Sequence, residues 1–184
     1  MNGKEILQSK FSQNFKKYYE VELFRNEGFD RRQCIQCSKY FWTLDNNRKT
    51  CPEQPCQQYG FIGNSPTSNN LDYLNTWKTI ENFFVKNSHQ SIDRYPVVAR
   101  WRPDLFFTIA SIVDFQRIEG GKVTFDFPSD PLVVPQVCLR FNDIQNVGVS
   151  GKHFTSFVMI GQHSGNGTDG YWKDRCIDLD FQLL

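Results

Sequence analysis

The apolar positions of this chain change their period along its length, and the changes divide it. Near the start, Phe11, Phe15 and Tyr18 recur at i, i+4 and i+7, with Tyr19 beside them, and Gly28 follows as a stop signal. This spacing predicts a surface helix packed by its aromatic stripe. The clearest helical pattern lies at 71–87. There Leu71, Leu74, Trp77, Ile80 and Phe84 share one side, and Asp72, Asn75, Lys78, Thr79 and Asn82 occupy the rest of the wheel. Ser68, Asn69 or Asn70 would cap it. Beyond residue 90 the pattern becomes strand-like. Segments 95–101, 105–109, 123–127, 132–141 and 154–160 read as strands, and Pro135 inside the fourth predicts a sheet edge or a bulge. A further helix is expected over 171–183. One helix, several strands and another helix predict an α+β fold with an antiparallel sheet.

Between the helical stretches, residues 29–63 are rich in turn formers, notably Asp45-Asn46-Asn47 and the Pro52 to Pro55 segment, so short hairpins are expected there. Residues 64–70 read as a loop. Two modules follow from this reading. Residues 1–70 would be an N-terminal helix and a cysteine-bearing module, and 71–184 a second domain. No internal repeat is present.

Composition narrows the function classes only a little. The 184 residues carry 21 basic and 20 acidic side chains, net +1, so bulk charge argues for no polyanion and any such site must be local. Seventeen phenylalanines in a polar remainder suit a folded domain. No run approaches the ~20 apolar residues of a membrane span, and Met1 to Leu7 has no secretory apolar region. A cytoplasmic location without membrane contact is expected.

Four of the six cysteines fall close together, as Cys34-x2-Cys37-x13-Cys51-x4-Cys56. Two short knuckles separated by a hairpin-length spacer are what a tetrahedral four-thiolate zinc site needs. Such an ion would be structural, because four thiolates leave no open position. The second knuckle is wider than the commonest spacing, and four free thiols in a loop-rich segment are the plainer alternative. Lys39, Arg48 and Lys49 lie in the spacer and read as a solvated basic face. Cys138 and Cys176 stand alone and read as buried small residues.

The segment 137–162 carries the remaining chemistry. Two strand-like runs flank a polar loop holding Gly148 and Gly151. Side chains alternate between the faces of a strand, so Arg140 points opposite to Leu139 and Phe141, and His153, Thr155, Phe157 and Met159 share a face. Arg140, His153 and Phe157 could then line one surface suited to a nucleotide: a guanidinium fork and a cation for phosphates, and a ring for a base. On periodicity alone, a hairpin with a core Phe and a solvated Arg is the plainer reading. His89 reads as a turn residue, and His163 as a structural histidine near the same surface.

These residues also carry a resemblance. Arg140 followed by a loop and then His153-x3-Phe157 resembles motif 2 of class II aminoacyl-tRNA synthetases. The wording from Arg140 to Gly148, then His153 to Gly161, is similar to the alanyl-tRNA synthetases. Phe83 to His89, then Pro96 to Val98 and Leu105 to Ser111, resembles motif 1 of that family. The cysteine insert with Tyr40 to Asp45 and Phe61-Ile62-Gly63 resembles its archaeal-type branch. The resemblance covers roughly residues 24–184.

It implies an enzyme that uses ATP and Mg²⁺ to activate alanine as alanyl-adenylate and transfers it to tRNA(Ala), with Zn²⁺ held by Cys34, Cys37, Cys51 and Cys56. Arg140 would contact the α-phosphate and the alanine carbonyl, His153 the outer phosphates, and Phe157 the adenine. Asp143 would stand near the ATP, one residue beyond the position where class II motifs often have a carboxylate. Thr108, Ala110 and Ser111 would approach the alanine pocket. The bacterial branch has a longer connection after the motif 2 Arg, including a lysine; this chain lacks it, and Lys152 is the candidate to replace that charge. Pro96 matches a motif 1 proline that lies at a dimer interface in class II enzymes, which leaves the oligomeric state open. Motif 3 and the carboxylate for the alanine ammonium do not occur, so these residues alone are expected to be inactive. The alternative is a non-catalytic zinc-containing module, derived from a synthetase, that binds RNA or protein.

Overall fold

The computed structural model describes residues 3–53, 55–58, 60, 63–64, 67–149, 153–165 and 169–184. Lys152 and the Phe61-Ile62 pair therefore lie outside the described residues. The chain folds as two compact units. One comprises Met1–Pro66, Lys173–Gln182 and Leu184, and the other Thr67–Trp172 and Leu183. The C-terminal helix is thus grouped with the first unit, although sequence order alone placed it in the second module.

In the first unit the N-terminal aromatic stripe is split over α1 (Gly3–Gln13) and α2 (Phe15–Tyr18), and α3 (Glu22–Asn26) follows. The ring centroids of Phe11 and Tyr18 are 4.7 Å apart, so the predicted i, i+7 contact survives the break at Asn14. Strands β1 (Asp30–Gln33) and β2 (Tyr40–Thr43) pair antiparallel from Asp30↔Thr43 to Gln33↔Tyr40. Their alternation is amphipathic. Phe41 and Thr43 are buried, whereas Tyr40 is 54% exposed.

In the second unit α4 (Tyr73–Lys86) is the predicted central helix, shortened at its start. Its cap is Asp72, whose carboxylate accepts from the Asn75 amide at 2.8 Å, rather than the expected Ser68, Asn69 or Asn70. An anionic oxygen directly before the first turn satisfies an orphan amide and complements the helix dipole. Leu71 is left outside the helix, and Phe84 is the residue α4 buries. The short β3 (Gln90–Ser91) pairs parallel with β6 (Leu132–Leu139), and β6 pairs antiparallel with β7 (Ser156–His163) in register from Leu132↔His163 to Leu139↔Ser156. The sheet is therefore mixed rather than wholly antiparallel.

Pro135 sits inside β6, paired with Ile160. It is tolerated because β3 ends opposite Val133, so beyond that point one side of β6 has no strand neighbour among the described residues. The expected strand at 123–127 is β5 (Lys122–Phe125), which forms a hairpin with β4 (Gln116–Glu119) through Gly120 and Gly121. The expected strands at 95–101 and 105–109 form only a single bridge, Val98↔Phe107. Instead that segment is fixed by the side chain of Gln136, which is fully buried. Its amide oxygen accepts from Tyr95 N at 2.8 Å, and its nitrogen donates to Tyr95 O at 3.1 Å and Val137 O at 2.8 Å. A buried amide with its donors and acceptor filled is compatible with the core.

The core of this unit gathers Phe115, Leu132 and Val134, with Ile92, Tyr95, Ile112 and Phe127 against them. In the first unit α5 (Lys173–Leu183) buries Leu179. Among the described residues no helix is long and apolar enough to cross a membrane.

Candidate active site and candidate metal centre

Register fixes which side chains share the inner face of the β6–β7 pair. Directly opposed residues lie on the same face, so Leu132, Val134, Gln136 and Cys138 share it with His163, Gly161, Met159 and Phe157. Arg140 continues the alternation just past the end of β6. Its amide donates to Thr155 O at 2.9 Å, which extends the pairing by one step. Its Nε donates to the Ile109 carbonyl at 2.7 Å, and its guanidinium carbon stands 5.0 Å from the centroid of Phe157. One carbonyl and one ring thus aim a cation at the mouth of the hairpin, where it remains exposed.

The mouth is a cleft of about 330 Å³ lined by Arg140, Asn142, Asp143, Val147, His153, Phe154 and Phe157. Of the residues singled out for ATP, Arg140, Asp143, His153 and Phe157 come together there. Thr108, Ala110 and Ser111 do not line it but lie on the segment that braces it. The Thr108 carbonyl accepts from Leu139 N at 2.9 Å, and the Thr108 hydroxyl donates to Pro96 O at 3.2 Å. Thr108 is completely buried, so its polar groups face the protein.

The bracing segment continues into a 3-10 turn, Ser111–Phe115, lying against the inner face of the sheet. Ser111 Oγ is 2.9 Å from His163 Nε2, and the Ser111 amide faces the Met159 sulfur at 3.5 Å. This close approach requires Gly161. A Cβ there would come within 2.5 Å of Ser111 Oγ and 2.6 Å of His163 Nε2. Burial pushes the His163 imidazole down to about 4, so it is neutral at physiological pH. Sequence reasoning read His163 as structural, and the structure ties it to the segment under the cleft. It missed Asp114, which is fully buried with neither carboxylate oxygen hydrogen-bonded. Burial raises its pKa to about 7, against an opposing pull from Arg117. Nothing in local periodicity marks an aspartate inside a one-turn helix as buried. His89, read as a turn residue, is likewise buried, with its Nε2 2.5 Å from the Tyr171 hydroxyl.

The second candidate site is in the first unit. The loop joining β1 to β2 is closed by Cys34 N donating to Lys39 O at 2.8 Å and Ser38 N to Cys34 O at 2.9 Å, with Ser38 at a positive φ of 60°. This knuckle and the second one bring the Sγ atoms of Cys34, Cys37, Cys51 and Cys56 within 4.8 Å of one another, with Cys37 and Cys51 3.7 Å apart. Zinc–sulfur bonds of about 2.3 Å in a tetrahedron separate the sulfurs by about 3.8 Å, so the donor set fits Zn²⁺. Burial acts against ionising Cys34, but backbone amides of Cys37, Cys51 and Gln36 outweigh it and hold the thiol at about 6. Burial and the neighbouring thiols push Cys56 up to about 12. Four crowded thiols therefore do not ionise together by themselves; a dication held among them would supply the charge that lets them.

Residues 78–184 match the family model of class II (A) tRNA synthetases. Over all 184 residues the chain is 58% identical to an alanine–tRNA ligase of Nitrosopumilus maritimus, of which it covers 21%. It is 60% identical to that of Cenarchaeum symbiosum, of which it covers 20%. Over 169 residues, 90% of the chain, it is 46% identical to the alanine–tRNA ligase of Methanosarcina barkeri, covering 18% of that protein. The chain therefore spans about a fifth of the length of the curated relatives it matches. With the family model spanning most of the second unit and the motif 2 residues gathered at one cleft, the chain belongs to the class II tRNA synthetases.

Proposed function

We propose that this chain supplies the ATP-binding hairpin of a cytoplasmic alanine–tRNA ligase. The observation that carries the reading is the convergence of Arg140, His153 and Phe157 on one cleft at the end of β6–β7. In the reaction a carboxylate oxygen of alanine attacks the α-phosphorus of ATP. The bond to the bridging oxygen breaks, pyrophosphate leaves, and the product is alanyl-adenylate; alanine then passes to the terminal adenosine of tRNA(Ala). Arg140 is fixed by the Ile109 carbonyl before ligand arrives, so its donors stabilise the charge that develops at the α-phosphate with little reorganisation. Phe157 offers the adenine a ring, and His153 stands near the outer phosphates. Asp143 and Asn142 order the loop at the rim. Thr108 holds the sheet end at Leu139 and Ser111 packs farther along β7 against Gly161 and His163; with Ala110 they would approach the alanine pocket, and Lys152 would add charge from the loop.

Asp143 is the only carboxylate lining the cleft among the described residues, which is too few to cage Mg²⁺. The ion would arrive on the triphosphate itself. Zn²⁺ held by Cys34, Cys37, Cys51 and Cys56 would fix the first unit and take no part in the chemistry. Activity would need residues beyond these 184.

The test is alanine-dependent ATP–pyrophosphate exchange by a polypeptide of the relatives' length carrying this chain. Arg140→Ala is expected to lower the exchange rate about 10²- to 10³-fold. Phe157→Ala is expected mainly to raise the KM for ATP, by about tenfold. A folded, zinc-loaded protein that exchanges nothing with alanine would rule the reading out in favour of a non-catalytic binding module.

A further inference from the structure

The first unit carries a groove that the aminoacylation reading does not use. Its volume is about 690 Å³, within the range of ligand sites, and Tyr19, Phe24, Arg31, Lys39, Tyr40 and Trp42 are among its lining residues. Among the described residues no aspartate or glutamate lines it. Register explains the composition. Arg31 is opposed to Trp42, and Tyr40 lies two residues away on the same strand, so all three share the outer face of the β1–β2 hairpin, while Phe41 fills the inner one. The Arg31 guanidinium carbon is 3.8 Å from the Tyr40 ring centroid and 4.3 Å from that of Phe15. Stacking fixes the plane of the guanidinium and leaves its N–H edges for an acceptor. Among the described residues neither Arg31 nor Lys39 is in an ion pair. Trp42 is held against Phe24 at 4.7 Å, and Tyr40 keeps more than half of its surface open.

We propose that this groove binds an unpaired strand of RNA, with phosphates on Arg31 and Lys39 and a base stacked on Tyr40. The choice of RNA over DNA rests on the proposed ligase function; the choice of a single strand rests on the rings. A duplex keeps its bases stacked and presents phosphates, which would leave exposed aromatic faces unused, whereas splayed bases stack on them. An acidic peptide would satisfy the two cations but has no aromatic plane to place on Tyr40. Lys39 and Tyr40 lie directly after the Cys34–Cys37 knuckle, so whatever orders the four thiols also orders this surface.

The probe is a short fluorescein-labelled single-stranded oligoribonucleotide, and the same strand paired to its complement, titrated with the protein at several salt concentrations. Unchanged zinc content and thermal melting serve as folding controls. Arg31→Ala is expected to weaken single-strand binding about tenfold and to reduce the salt slope by about one. Tyr40→Ala is expected to weaken it about tenfold with the salt slope retained. Lys39→Ala, outside the paired strands, gives a second reading of the charge should Arg31→Ala unfold the hairpin. Equal affinity of all variants would overturn the proposal. So would a duplex preference indifferent to Tyr40→Ala, or displacement of the RNA by polyglutamate at lower concentration than by unlabelled RNA. Alanine-dependent exchange needs no RNA, so a failure of the ligase reading and a failure of this one are separate results.

Discussion

The two units of this chain bury different things. Among the described residues the first unit buries a cluster of Cys34, Phe41 and Cys51, with Cys56 against them, besides Val21 and Leu179; the second buries Phe115, Leu132 and Val134 under a ring of aromatics and isoleucine. The knuckle cluster is mostly thiol, the second unit's cluster hydrocarbon and ring. A segment as polar and turn-rich as residues 29–63 gathers little apolar area to offset its chain entropy, and an ion on the four thiols would supply the difference. The second unit has Leu132, Val133 and Val134 in succession, all fully buried, and needs no ion.

The largest effect should separate the units outright. Cys51→Ser, or chelation, is expected to abolish zinc binding and the amide dispersion of residues 30–57, while the amides of β6 and β7 keep their shifts in a two-dimensional NMR spectrum. Collapse of both sets together would show that the cores are not independent. Next is Phe115→Ala, which removes a ring with no exposure from the second core. It should cost about 3–5 kcal/mol by denaturant unfolding, with the zinc content unchanged. Gly161→Ala should cost about 1–3 kcal/mol through overpacking against Ser111 and His163, and Ser111→Gly in the same chain should recover part of that. Full additivity of the two changes would mean the contact does not limit that position.

The smallest effect is the most diagnostic. Asp114 has its pKa raised to about 7, so its contribution is complete at low pH and is lost as pH rises from about 4 to about 7. His163 is depressed to about 4, so its contribution is lost in the opposite direction, as pH falls from about 6.5 to about 4. The two slopes oppose each other across the same window, and the net change in stability of the second unit there should stay below about 1 kcal/mol. Asp114→Asn should uncover a rise of about 1–2 kcal/mol between pH 5 and 6.5, from the His163 slope alone. A flat profile in that variant would show that His163 is not held neutral by its surroundings.

Legibility differed between the units for physical reasons. The four-cysteine spacing was readable because a metal site is specified by a few residues at short separation, and the four sulfurs do converge. Helix α4 and strands β6 and β7 were readable because each buries one face and the period shows it. Segments 95–101 and 105–109 were misread as strands. The Tyr95 backbone pairs with a buried glutamine side chain and the rest makes a single bridge rather than a ladder, a long-range arrangement without a local period. The same holds for Asp114 and His89, whose burial comes from elements far away in sequence.

By itself the sequence determined which residues could do chemistry. The knuckles that could hold an ion are local, and so is the alternation that turns Arg140 away from Leu139. Motif 2 wording pointed to the family because it is collinear. Only the tertiary structure decided what those residues face. The β6–β7 register placed Phe157 beside Arg140, the segment leading into the 3-10 turn supplied the Ile109 carbonyl that aims the guanidinium, and the β1–β2 pairing set Arg31 against Tyr40 on an open face. Each depends on contacts between segments that local propensity cannot bring together, since side-chain period fixes a direction and packing alone fixes a neighbour.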